Sequence, residues 1–378
     1  MISCGEPSGD LYAGALAAEI LSQEASATIV GFGGDRLAAA GATLIENFGG
    51  LSVTGLLEVV RILPRTYATY RRLVADAETT PPDVFVAIDF PDFNFALARA
   101  MKKRGVPVVY YISPQLWAWR PRRMHTMKRL ADRVLVIFPF EEQIYRAAGV
   151  PVEWVGHPLF DVTPPRQPRA DFLAGLGVDA TRPVVALLPG SRTNEVRAIL
   201  PDLVRSAALV RSRVPGVQFV VARAPHLDGR LFDPLQALAS DVVLIDGRAD
   251  DVLAAADAAV VASGTVTVQA ALHECPMVVV YRLSPLTYRL GKPFVQVDTY
   301  AMANLVAGRR VVKELIQDDF TPEAVATEVV RMLTDPEYAA AMRRDLHGVR
   351  QRLGDPGASR RAARAVLEVA RGGVTSSQ

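Results

Sequence analysis

Two short stretches in the second half of the sequence combine residue types suited to gripping an anion. Pro189-Gly190-Ser191-Arg192 follows the apolar run PVVALL and precedes a helical pattern starting near Asn194. A glycine turn, a hydroxyl and an arginine at a helix start form an anion site. The first helical N–H groups lack partners, and a guanidinium can hold two phosphate oxygens at once. Ser263-Gly264-Thr265 repeats the arrangement after AAVVA and before a helical stretch over Val266–His273. Two such loops in one half of a chain suggest a diphosphate; the alternative is a pair of capped turns with no ligand. Gln269, one helical turn further on, is placed to reach a ribose.

In the first half, Asp89 ends the run DVFVAID. A carboxylate at the end of a buried strand lies where open parallel sheets bind ligands, and burial would raise its proton affinity and make it a better base. The commoner role is a cap or an ion pair, and Asp92, ahead of a helical Asn94–Met101, reads as such a cap. Gly5-Glu6-Pro7-Ser8-Gly9-Asp10 lies directly before a helix, after what must be a very short strand. Its free N–H groups make Glu6, Ser8, Gly9 and Asp10 candidates for contact with a sugar acceptor, with an ordinary βα turn as the alternative. The spacing is not GxGxxG, so a nicotinamide site is not supported. A second glycine turn, Gly31-Phe32-Gly33-Gly34, has the same ambiguity. His157, in Val155-Gly156-His157-Pro158, is either a further cleft residue or a structural histidine bonded to nearby backbone.

The stretch Phe48–Leu73 mixes Leu56, Leu57, Val60 and Leu63 with Arg61, Arg65, Arg71 and Arg72, interrupted by Pro64. Such a segment suits a membrane interface, with arginines facing anionic lipid; a core-packed helix with snorkelling arginines fits the pattern equally.

The elements that must position these residues alternate in type. Candidate strands are Thr28–Gly31, Asp83–Asp89, Pro107–Ser113, Arg133–Phe138 and Val152–Val155 in the first half. Pro183–Leu188, Val217–Ala222, Asp241–Ile245, Ala258–Ala262 and Met277–Tyr281 follow in the second. Helical stretches such as Leu11–Ser22 and Leu200–Val214 lie between them. Strands fed by helices give parallel sheets with right-handed crossovers. The proline-rich DVTPPRQPR, Asp161–Arg169, reads as a linker, after which the alternation restarts. The expectation is two doubly wound α/β domains facing across a cleft, residues 1–162 and 170–342, with a helical, arginine-rich tail over 343–378 that frays from Thr375.

The bulk numbers bound the partners. With 378 residues two domains are natural, and a net charge of +2 gives no reason to expect nucleic acid. Cys4 and Cys275 form no disulfide framework or zinc pattern, and the five histidines form no HExxH pair, so no metal is expected. The sequence contains no Gly-x-Ser-x-Gly elbow. It opens without a basic-then-apolar secretory signal, and no run reaches the roughly 18 apolar residues of a spanning helix.

Several of these strings occur together, and in the same order, in one known family. SCGEPSGDLYAGAL, IDFPDFNFALA, YYISPQLWAWRPRR, VGHPLFD, LLPGSRTNEV, SGTVTVQAAL, CPMVVVYR and NLVAGRRVVKELIQ resemble segments of lipid-A-disaccharide synthases, over residues 3 to about 320. The resemblance implies a GT-B fold, two Rossmann-like domains across a cleft, and inverting transfer from UDP-2,3-diacylglucosamine to 2,3-diacylglucosamine 1-phosphate (lipid X). The products would be a β-1,6 disaccharide and UDP, with no cofactor. It also implies work in the cytoplasm, peripheral to the inner membrane. Carried over, Asp89 matches an essential aspartate and Arg192 an essential arginine. Ser263, Gly264 and Thr265 match the diphosphate loop, and Asn304 and Arg309 the NLxAGR segment near the donor. Gln269 departs from the family's usual glutamate, and an amide lacks the paired acceptor oxygens of a carboxylate. The competing expectations are a UDP-sugar epimerase of the same fold and a non-catalytic sugar-nucleotide or lipid-binding protein.

Overall fold

A computed structural model describes residues 1–49, 56–119, 123–163, 167–282 and 299–372, with the backbone alone for 56–62, 118–119 and 239–240. The expected fraying from Thr375, the centre of the proline-rich linker and the side chains of Leu56, Leu57, Val60 and Arg61 lie outside the described residues.

The chain forms two compact units, residues 1–162 with 353–378, and residues 163–352. The first is built on seven strands: β1 Ile2–Cys4, β2 Val30–Gly33, β3 Thr43–Asn47, β4 Phe85–Ile88, β5 Val108–Tyr111, β6 Arg133–Val136 and β7 Val152–Trp154. They pair in parallel in the order β3-β2-β1-β4-β5-β6-β7. The second unit holds β8 Val184–Leu188, β9 Gln218–Arg223, β10 Val242–Asp246, β11 Ala258–Ala262, β12 Met277–Tyr281 and β13 Lys313–Ile316. They are also parallel, in the order β10-β9-β8-β11-β12-β13.

The central strands explain the choice of a parallel sheet. FVAI in β4, VVYY in β5, VVALL in β8 and AAVVA in β11 are buried along their whole length. Runs apolar on both faces need helices on both faces. Each sheet reverses direction of growth once, between β1 and β4 and between β8 and β11. In such sheets the connections diverge at that point and leave a crevice at the carboxyl ends of the two strands. The loops after β1, β4, β8 and β11 are those that carry Glu6–Asp10, Asp89, Gly190–Arg192 and Ser263–Thr265.

Three expectations need correction. The glycine stretch 31–34 is not a turn throughout, because Gly31 to Gly33 lie within β2. There a Cβ on Gly31 would fall 1.9 Å from the Ile2 carbonyl oxygen, so the glycine permits close strand packing. β3 and β13 were not anticipated as strands. Both are edge strands with mixed burial, TLIEN and KELI, so neither shows a continuous apolar run. Finally, residues 343–378 are not a separate tail. The helix Pro336–Arg352 belongs to the second unit, while the helix Ala358–Ala370 packs on Pro7–Gln23 in the first.

Candidate active site

In the first unit the loops after β1 and β4 touch: a Cβ on Gly5 would fall 2.4 Å from the Phe90 ring. Asp89 and Phe90 are both left-handed, at φ 45° and 47°. For residues with a Cβ this costs roughly 1–3 kcal/mol each and persists only where the surroundings impose it. Those surroundings are explicit. Asn94, fully buried, donates from Nδ2 to the Asp89 and Ile88 carbonyls at 2.8 and 3.2 Å, and Ser3 Oγ donates to Asn94 Oδ1 at 2.7 Å. The Tyr110 hydroxyl donates to the Asp89 carbonyl at 2.8 Å. The Asp89 backbone is thus fixed from β1, β5 and its own helix, and its residue is left half-buried at the strand end.

Other acceptor candidates of this unit are used internally. Asp10 is buried, and its carboxylate accepts from the N–H groups of Gly34, Arg36 and Leu37 at 2.7, 2.9 and 3.1 Å. It caps the helix Asp35–Ala39. Gly9 is buried, with Cys4 Cβ 3.3 Å from where its own Cβ would be. His157 is also buried, between Tyr12 and Phe138, and its Nδ1 accepts from the Leu159 N–H at 3.2 Å. Burial lowers its pKa to about 3, so the ring is neutral, and of its two readings the structural one holds. Asp92 is not a cap: Phe90 holds that position, and Asp92 pairs with Arg123 at 2.6 Å. Glu6 and Ser8 remain half-buried at the start of Pro7–Gln23, where no side chain caps the helix.

In the second unit the two expected loops open the helices Thr193–Arg213 and Thr265–Leu272. Gly264 has φ 148°, a conformation side chains rarely adopt, and among the described residues nothing lies within 4 Å of where its Cβ would be. Among the described residues no side chain caps the helix that follows, where the Thr267 N–H bonds the Gly264 carbonyl at 3.0 Å. Gly190, at φ 123°, is glycine for a second reason: a Cβ there would fall 2.7 Å from Glu195 Oε2. That same oxygen accepts from the N–H groups of Ser191 and Arg192 at 3.2 and 3.3 Å, and Glu195 Oε1 pairs with Arg192 Nη1 at 2.9 Å. The carboxylate of Glu195 occupies the donors expected to hold phosphate, so the loop binds an anion supplied by its own helix. Glu195 was missed in the sequence, although an acid three residues after a helix start is the usual capping signature.

The remaining second-unit candidates divide similarly. Gln269 Nε2 donates to Asp250 Oδ2 at 3.2 Å, and His273 Nε2 bonds Asp250 Oδ1 at 2.8 Å. Asn304 is buried and fully used: Nδ2 donates to Val312 O and Glu314 Oε1, and Oδ1 accepts from Val311 and Val312 N–H, all within 2.9 Å. It pins its loop to β13 and is not free to meet a nucleotide. Arg309 is largely exposed and pairs with Asp345 at 2.5 Å. Among the described residues no cluster of His, Cys, Asp or Glu could hold a metal ion.

The helix Leu56–Thr79 carries the expected membrane stretch. Thr69, Leu73 and Ala77 are buried, whereas Leu63 is 54% and Tyr67 61% exposed, and Arg65 is exposed as well. Among the described residues no helix is long and apolar enough to cross a membrane.

Two parallel sheets of this strand order, each followed at its reversal point by a ligand-type loop, define a GT-B protein. Solved structures share the fold: MnaA of S. aureus in a UDP co-structure has a TM-score of 0.68 at 13% identity, covering 100% of this chain and 97% of that one. CalG4, the calicheamicin glycosyltransferase, has a TM-score of 0.64 at 19% identity, covering 99% and 97%. A family model described as lipid-A-disaccharide synthetase matches residues 1–369. The lipid-A-disaccharide synthase of Geobacter metallireducens is 44% identical over 373 residues, 98% of this chain and 96% of that protein. The protein of that name from Myxococcus xanthus is 43% identical over 370 residues, 98% and 97%. The chain belongs to the lipid-A-disaccharide synthetase family and is a glycosyltransferase of lipid A biosynthesis.

Proposed function

We propose that the chain transfers the sugar of UDP-2,3-diacylglucosamine, with inversion, to the 6-hydroxyl of 2,3-diacylglucosamine 1-phosphate. The acceptor hydroxyl is far too weak an acid to react as an anion at neutral pH, and a positioned base contributes roughly 10²–10⁴-fold. Asp89 is that base. The observation that carries this assignment is the pair of left-handed residues at positions 89 and 90, held by Asn94 and Tyr110 at the reversal point of the first sheet. Strained backbone of this kind clusters at functional sites.

As the glycosidic bond breaks, negative charge grows on the leaving diphosphate. Arg192 and the N–H groups opening Thr193–Arg213 and Thr265–Leu272 are assigned to it. Because these groups bind most tightly when the charge is greatest, they raise turnover as well as affinity. Binding the diphosphate at Arg192 requires Glu195 to give up its hold on the same donors. Gln269 offers its carbonyl oxygen to one ribose hydroxyl, beside the Asp250 carboxylate that its amide already binds. The acylated substrates lie in a leaflet facing the cytoplasm, and the exposed Leu63, Arg65 and Tyr67 make the membrane contact.

The test is UDP release from defined acylated donor and acceptor, with UDP affinity measured alongside. Asp89→Ala is expected to lower turnover by about 10²–10⁴-fold with UDP affinity nearly intact. Arg192→Ala is expected to weaken both. An Asp89→Ala enzyme of full activity would remove Asp89 from the mechanism.

A further inference from the structure

One buried acid in the first unit has no part in the reading so far. Glu141 is 1% exposed and sits in the first turn of the helix Pro139–Ala147, just past β6. One carboxylate oxygen accepts from the Trp117 indole N–H at 3.3 Å and the other from the Phe138 N–H at 3.4 Å. Trp117 belongs to the short helix Leu116–Trp119 that follows β5, and its ring meets Phe140 edge-on with centroids 5.2 Å apart. β4, β5 and β6 are neighbours in the sheet, so their ends carry Asp89, Trp117 and Glu141 in succession. An N-terminal cap explains the bond to Phe138. It does not explain a carboxylate reaching across to an indole from the next strand end.

We propose that Glu141 is a positioning residue for sugar transfer: it holds Trp117 past the end of the strand next to the one that carries Asp89 and, through its own charge, makes Asp89 the stronger base. This rests on the reading of Asp89 as the base.

Among the described residues, few charged or titratable groups act on Glu141. The charge of Asp89, at the end of β4, acts on Glu141, and Tyr145, on its own helix, feels the charge of Glu141. Beyond Tyr110 lies the Asp92–Arg123 pair, and His157, behind Phe138, is neutral. Burial pushes Glu141 up to about 7, opposed by the bonds from Trp117 and the Phe138 and Ile137 N–H groups, with the negative charge of Asp89 pushing further upward. The coupling is reciprocal. Once Glu141 ionises, its charge raises the proton affinity of Asp89 and makes it the stronger base. Turnover should therefore rise with pH through an inflection near 7.

The experiment is the pH profile of kcat for Glu141→Gln, Glu141→Asp, Trp117→Phe and Asp89→Asn, with UDP affinity as the control. Glu141→Gln should lose the inflection and hold the low-pH plateau, about 3–10-fold below the parent enzyme at pH 8. Trp117→Phe, which removes a donor that favours the anion, should keep the inflection but move it to higher pH. Glu141→Asp should retain an inflection. UDP affinity should stay within about twofold throughout, because the nucleotide is assigned to the other unit. An inflection that survives Glu141→Gln, or that stays in place in Trp117→Phe while the rate falls, overturns the proposal. An active Asp89→Asn enzyme overturns the base assignment itself, and the proposal with it. An inactive one with an unmoved inflection in the other variants overturns the proposal alone.

Discussion

A histidine sealed among aromatic rings cannot take a proton without leaving a charge that nothing pairs, and a sealed carboxyl cannot easily lose one. His157 and Glu141 are such a pair in one unit, and they bias stability in opposite directions. The unfolded chain protonates His157 near pH 6.5, whereas the folded chain waits until about 3, so over that range stability rises with pH. Glu141 releases its proton near 4.5 when unfolded and near 7 when folded, so over that range stability falls with pH. Where the windows overlap, the two slopes, each up to about 1.4 kcal/mol per pH unit, cancel. Glu141→Gln should therefore show stability rising between pH 4.5 and 6.5. His157→Asn, which keeps an acceptor for Leu159, should show it falling. Urea unfolding of the two variants across that range checks this, and slopes of the same sign would refute it. The same residues show where the sequence stopped speaking. Asp89 and Arg192 could be picked out because their strands end where ligands bind. Asp10 could not be resolved, because the N–H groups that claim it belong to Gly34, Arg36 and Leu37, 24, 26 and 27 residues away. Asn304 resembled a donor contact, yet its partners are Glu314 on β13 and Val311 and Val312 leading into it, a strand whose pattern gave no warning.

Elements were legible in proportion to how completely they are buried. β4, β5, β8, β11 and β12 announce themselves as apolar runs, and each lies within or against its expected range. β3 and β13 do not, because an edge strand needs only a partly apolar face. The helix Leu56–Thr79 shows what patterning leaves open. Its sequence admitted either a core helix or a membrane surface, and the structure gives it both a packed and an open face. At 100° per residue, Leu63 and Tyr67 stack one turn apart, on a flank centred roughly 100° round the helix from Thr69, Leu73 and Ala77. Two exposed apolar side chains, with the exposed Arg71 one turn past Tyr67, would gain from entering an anionic interface, each by about 1.5–3 kcal/mol at most if fully buried there. Replacing Leu63 and Tyr67 together with aspartate should cut binding to vesicles containing phosphatidylglycerol by about tenfold or more, with melting and UDP affinity unchanged. The matching control is Leu244→Asp, at an exposed position on β10, which should leave vesicle binding as it was. A parent protein that fails to sediment with the vesicles would end the membrane reading.

At the scale of the whole chain, order in sequence and membership of a folding unit part company. The chain leaves its first unit after Val162, builds the second, and returns at Leu353 to finish the first. The returning helix, Ala358–Ala370, covers Pro7–Gln23 with Ala362, Ala363, Ala365, Val366 and Val369, all buried. Its entry is fastened by Asp161, which accepts from the Gly357 and Ser359 N–H groups at 2.5 and 2.7 Å, and by Arg361, which donates to the Val155 carbonyl at 2.8 Å. Composition alone suggested a solvated arginine-rich tail, because the apolar residues of this helix are mostly alanines, whose burial leaves little trace in a hydropathy pattern. The arrangement makes a prediction that sequence order would get backwards. Val366 is 2% exposed, and Val366→Ala should remove about 2 kcal/mol of packing. The loss should fall on the first unit, more than 200 residues upstream, and not on the second unit that immediately precedes it in the chain. Hydrogen exchange read peptide by peptide decides the matter. Protection should drop in Pro7–Gln23 and the strands beneath it, while β8 to β13 keep theirs and UDP affinity holds. A drop confined to residues 163–352 would mean that the last helix belongs to the unit it follows.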